Sequence, residues 1–208
     1  MTQPENNLIE ETDGAVRLWL IKDTYLEVWK KALSPAVAAW LERSRFRAKP
    51  GSFTVVPRED GALLGVAVGV SDPPQLWDLA AASADLPNGP YRLALKEIPE
   101  LVLDNESITQ LTLGWAFGTY RYDRYRKVDE KSGGAELVWP EGVNTAEVRR
   151  TISAVFLTRD LINTPAGDLG PSALAAAAIE VGTAGGADCE VIEGQELLSR
   201  GYPLIHAV

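Results

Sequence analysis

From Ala15 to Ile21 the chain reads AVRLWLI, an apolar run broken only by Arg17, and it predicts a strand. Residues 1–13 before it are polar and predict no element. Thr24-x-x-Glu27 has capping-box spacing, so a short helix is expected over Tyr25–Ala32. Ser34-Pro35 opens another helix, the serine offering a cap oxygen and the proline losing no needed hydrogen bond at the first helical position. Val37, Trp40 and Leu41 then share one face. SFTVVPREDGALLGVAVGV reads as two strands joined at Arg58–Gly61, where Asp60-Gly61 suits a turn. A helix near Pro74–Ala84 and a strand at Tyr91–Leu95 follow.

A long helix is predicted from near Ser107 to about Arg126. Ile108, Leu111, Trp115, Gly118, Tyr122 and Tyr125 recur at three- and four-residue steps, which makes one apolar stripe. Gly114 and Gly118 leave room for another backbone to approach. AELVWP at Ala135–Pro140 reads as a strand, and Thr145 is expected to cap a helix through Ile162, with Val148, Ile152, Val155 and Ile162 inward. This order of elements predicts a three-layer α/β domain, helices on both sides of a mixed sheet, over residues 1–143, then a linker helix over 144–163.

After DLINTPAGDLG the pattern restarts. Pro171–Val181 reads as an Ala-rich helix, DCEVIE as a strand, GQELLSRG as a short helix ended by Gly201, and PLIHAV as a strand. So few elements cannot bury a core of their own. Residues 164–208 are therefore expected to be an incomplete second α/β domain, part of a larger chain or in need of a partner.

Composition narrows the chemistry. With 46% hydrophobic residues and six Trp in 208, the chain is a folding sequence. A single Cys excludes a disulfide framework and a Cys-based zinc site. Cys189 reads as a small buried hydrophobe, with only His206 available to pair with it. No apolar run is long enough to span a bilayer and no basic-then-apolar leader follows Met1, so a soluble cytoplasmic protein without a membrane partner is expected. A net charge of -9 weighs against nucleic acid as a partner.

YRYDRYRK, Tyr120–Lys127, interleaves aromatic and basic residues as a nucleic-acid surface can. Packing of one helix stripe is the stronger reading, with Arg121, Arg124, Arg126 and Lys127 at the helix C-terminus, where cations are favoured. RSRFRAK, Arg43–Lys49, reads as a solvated helix end before a turn at Gly51. GVAVGV lies in a strand and GTAGGAD follows a helix, so neither is a phosphate loop. Asp160 and Asp168 flank INTPAG, but two carboxylates do not make a metal site; they read as a helix-end charge and a turn former. His206 is expected in a buried strand. From the residues alone, no catalytic, cofactor-binding or metal-binding residue is assigned.

LTRDLINTPAGDLGPSALAAAA resembles the domain junction of the leucyl aminopeptidase family, the cytosolic two-metal exopeptidases. The matching residues are Arg159, Asp160, Leu161, Asn163, Thr164, Pro165, Pro171, Leu174 and Ala175. LGWAFGTYRYDRYR and AWLERSRFRAKPGSFTVVPREDGALLGVAVG are similar to that family's amino domain, loosely before Tyr91. The resemblance implies a macro-domain-like amino domain without the chemistry, followed by the first elements of the catalytic peptidase domain. It further implies a parent that removes amino-terminal residues from peptides, using two divalent metals (Zn, Mn or Mg), and that assembles as a homohexamer. The family's Asn-Thr-Asp-Ala-Glu-Gly-Arg motif does not occur here, so none of its catalytic or metal ligands transfers, and the chain alone is expected to be inactive. Two other readings remain: a free-standing non-catalytic α/β binding or oligomerisation module, and a DNA-binding amino domain.

Overall fold

A computed structural model describes residues 7–58, 60–98, 101–126 and 134–208. The chain divides between Thr158 and Arg159 into two compact units. The first is built on a six-stranded sheet of β1 (Leu8–Ile9), β2 (Val16–Ile21), β3 (Phe53–Pro57), β4 (Leu63–Gly69), β5 (Gly89–Leu93) and β6 (Ala135–Val138). Their order is β1-β6-β5-β2-β4-β3, parallel throughout except for the β3–β4 hairpin. Four successive residues of β2, Leu18–Ile21, are buried, so both faces of the sheet are covered there.

Helices α1 (Leu26–Lys31) and α4 (Asn105–Gly118) provide cover on opposite faces. Tyr91 is in register with Val16, and its ring lies 5.9 Å from Trp115 of α4. Trp19, three residues beyond Val16 and so on the other face, lies 5.7 Å from Trp29 of α1. That makes the three-layer α/β architecture expected from the sequence.

Local chemistry explains several element ends. Ser34 Oγ accepts from the Val37 N–H at 3.4 Å and Pro35 opens α2 (Pro35–Arg43). In the hairpin, Gly61 takes φ 82°, and Asp60 Oδ1 accepts from the Ala62 N–H at 2.9 Å. Trp40 of α2 donates its indole N–H to the Val55 carbonyl of β3 at 2.7 Å. Lys30, buried, donates to Glu27 and Glu42 and so joins α1 to α2; both carboxylates, Glu27 first, hold its ammonium above the usual range. Gly114 and Gly118 do what their spacing implied. A Cβ on either would overlap a backbone carbonyl oxygen, that of Leu76 or Ala80, beside α3 (Ala80–Asp85).

Several expectations need correction. Residues 1–13 are not wholly without an element: β1 pairs with β6 and buries Leu8. The Thr24–Glu27 capping box does not form, because a 3-10 turn at Asp23–Tyr25 intervenes and Glu27 turns to Lys30. The long helix stops at Gly118 rather than Arg126. Close packing holds Gly118 against Ala80, and Thr119 ends the helix by donating its hydroxyl to the Ala116 carbonyl at 2.7 Å. Tyr120 then packs on Phe156, centroids 5.0 Å apart, while Tyr122 and Tyr125 pack on each other. Arg121, Arg124 and Arg126 are therefore not on that helix, and Lys127 lies outside the described residues. Helix α5 (Thr145–Asn163) is capped by Asn144, whose Oδ1 accepts from the Glu147 N–H at 3.2 Å. Its buried line is Val148, Ile152 and Phe156 at four-residue steps; Ile162 falls off that line and is 76% exposed.

The second unit holds α6 (Pro171–Ala184), α7 (Glu196–Ser199) and α8 (Pro203–His206). Neither expected strand is present. Residues 188–193 form no regular element, and 203–206 form a helix opened by Pro203. A strand needs a neighbour to satisfy its backbone, and no strand is described in this unit. Cys189 is exposed and His206 half-buried in a short helix, so neither sits in the buried setting expected.

Candidate functional site

In parallel α/β sheets, ligands collect beyond the carboxyl ends of strands. Strands β1, β6 and β5 are neighbours there, and a cavity of about 330 Å³ opens beyond them. Glu11, Arg92, Leu95, Glu97, Trp139 and Glu141 are among its lining residues. Glu97 is held in place: it accepts the Trp19 indole N–H at 2.8 Å, and its other oxygen lies 3.2 Å from the Arg17 Nε. Charge-assisted pairs of this kind are short and directional. Lys96 and Glu141 also pair, at 3.6 Å, but both are almost fully exposed, and such pairs contribute little. The Arg149 guanidinium stacks over the Trp139 ring at 5.1 Å, and the Trp139 indole nitrogen is buried without a partner.

The lining combines charged and aromatic groups that can contact a ligand. The chain's one His is His206, in the second unit. Among the described residues, no three or more His, Cys, Asp or Glu side chains are grouped so as to hold a metal ion.

A second cavity, of about 350 Å³, lies at the start of β2 and β4 and shares Glu11 and Arg92 with the first. Arg17 and Arg58 also line it.

Residues singled out in the sequence are not drawn into either cavity. Asp160 lies in the last turn of α5, where its carbonyl accepts the Thr164 hydroxyl at 2.6 Å. Asp168 is exposed, its N–H donating to the Pro165 carbonyl at 2.9 Å, as a turn former does. In Arg43–Lys49 the cations are exposed while Phe46 and Ala48 are buried. Sequence reasoning missed the Trp19–Glu97–Arg17 network, in which Trp19 and Glu97 lie 78 positions apart. The one available signal was an arginine inside each of two otherwise apolar strands, Arg17 and Arg92. No helix among the described residues is long and apolar enough to cross a membrane.

Comparison with known proteins adds to this geometry. The family model for the M17 aminopeptidase N-terminal domain matches residues 16–140. A probable cytosol aminopeptidase of Rhizobium meliloti (strain 1021) is 30% identical over 150 residues, covering 66% of this chain and 30% of that protein. The crystal structure of a cytosol aminopeptidase from Coxiella burnetii superposes with a TM-score of 0.80 at 28% identity, covering 92% of this chain and 41% of that one. The bottromycin maturation enzyme BotP in complex with Mn superposes with a TM-score of 0.63 at 28% identity, over 89% of this chain and 40% of that one. The chain thus spans under half the length of each of these three relatives.

Proposed function

Since the chain belongs to the M17 aminopeptidase family, by its N-terminal domain, we propose that it is the amino-terminal portion of a metal-dependent leucyl-type aminopeptidase. In this reading the catalytic centre lies outside these 208 residues. Residues 1–143 are the amino domain, 144–163 the linker helix, and 164–208 the first elements of the peptidase domain. The observation that carries the proposal is the superposition of 92% of this chain on 41% of a cytosol aminopeptidase. A supporting observation is the apolar surface of the second unit, where Leu204 and Ile205 are well exposed.

The parent enzyme would remove amino-terminal residues from peptides in the cytoplasm, as a homohexamer. Two divalent metals would be held by the remaining part of the parent. The purified 208-residue chain is expected to release no leucine from a leucyl anilide with Zn, Mn or Mg added. Metal-dependent release by this chain alone would overturn the assignment of the chemistry to other residues. An immunoblot of source-cell extract tests the parent itself: a band well above 22.5 kDa is expected. A band at that mass alone would favour the free-standing binding module.

A further inference from the structure

Arg17 and Arg92 are in direct register on the adjacent parallel strands β2 and β5. Neighbouring strands run about 4.8 Å apart and residues in register share a face, so the two arginines leave the sheet from adjacent positions on one face. Like charges so placed repel. Glu97 compensates Arg17. Arg92 is exposed, and so is Arg58, just before the β3–β4 turn. Among the described residues, neither forms an ion pair with any carboxylate. All three arginines line the 350 Å³ cavity, together with Thr12 and two carboxylates, Glu11 and Asp13, on the β1–β2 connection.

Three arginines thus line one cavity in a chain whose net charge is -9. The cavity is within the size range of small-molecule sites. Guanidinium forks match the paired oxygens of phosphate and carboxylate groups. With Arg17 neutralised by Glu97, Glu11 and Asp13 balance the charges of Arg92 and Arg58, so a monovalent ion such as chloride gains little there, whereas a ligand with several acceptor oxygens can take hydrogen bonds from both guanidinium groups. We propose that this cavity binds a small multivalent oxyanion, phosphate-bearing or polycarboxylate, gripped by Arg92 and Arg58 with Arg17 held beside them by Glu97.

The test is isothermal titration of the full chain with pyrophosphate, citrate and sodium chloride at matched ionic strength. At least one of the two polyanions is expected to bind saturably, one per chain, and chloride is not. Which polyanion binds distinguishes a phosphate ligand from a polycarboxylate. Arg92→Gln and Arg58→Gln should each weaken binding roughly tenfold or more, since each removes a charged hydrogen-bonding partner. Arg92→Lys should fall between, because the charge stays and the fork is lost. Arg43→Gln, an exposed arginine outside the cavity's lining, should bind as the unsubstituted chain does. Circular dichroism checks folding, and if Arg92→Gln is unfolded, Arg58→Gln on the exposed turn decides. No saturable binding by either polyanion overturns the proposal. So does unchanged affinity in both glutamine variants, or an equal loss in Arg43→Gln.

Discussion

The two units of this chain differ sharply in how they treat apolar residues. In the first, Leu18, Ile21, Leu111 and Trp115 are fully withdrawn from water. In the second, Thr164 alone is buried among the described residues, and Leu204 is 83% exposed. Helix α6 makes the point: PSALAAAAIEVGTA carries one charge, Glu180, yet buries nothing. A helix apolar over most of its surface normally belongs in an interior. The units do not differ in the kind of segment they contain. They differ in the partners available, since β2 has a strand on each side and residues 188–193 have none.

The contrast breaks if the first unit tolerates loss of its core. Trp115→Ala deletes a fully buried ring that packs on Tyr91, and the expected cost is about 3–5 kcal/mol in urea unfolding. A cost within about 0.5 kcal/mol, as at an ordinary surface site, would mean the first unit is not held by this core.

A smaller effect sharpens the comparison through pH. Hydrogen bonds from Ser107 hold the Asp104 carboxyl below its usual range, at the start of α4. A depressed folded-state value gives stability that is complete above the unfolded value, about 3.9, and is lost as pH falls through the folded value. Asp104→Asn keeps a cap acceptor without the charge. Its thermal midpoint should therefore drop less than that of the unsubstituted chain on going from pH 7 into this acid range. Equal drops would show that the Asp104 charge plays no part.

The smallest effect is expected in the second unit. Leu204→Ala should change unfolding free energy by no more than about 0.5 kcal/mol, because the side chain already faces water. A loss of core-like size would show that this chain by itself packs the region around Leu204.

Much of the first unit was readable because its signals are local. The runs around Leu18 and Val66, the Asp60-Gly61 turn and the Ser34-Pro35 start each specify an element within a few residues. The end of α4 was not readable. The apolar spacing continues to Tyr125, past the helix's end at Gly118, and Tyr120 packs instead on Phe156, distant in sequence. The strands expected at 188–193 and 203–208 failed for a related reason, since β propensity is expressed only beside another strand. The cavities were hidden because Arg17, Arg58, Arg92 and Glu97 meet through sheet order, not spacing. The family was legible at Arg159–Ala175 as a resemblance, and the matching family model covers 16–140 instead.

The indole of Trp40, placed on the Val55 carbonyl, has a consequence for solubility. A sheet's outer strand exposes backbone groups that can recruit another chain and seed aggregation. Here β3 is one outer strand, with that carbonyl already occupied and Pro57 lacking an N–H to offer. The opposite border, β1, is only two residues long. Among the described residues, the borders of the sheet therefore offer few backbone groups through which copies of this molecule could zip together edge to edge.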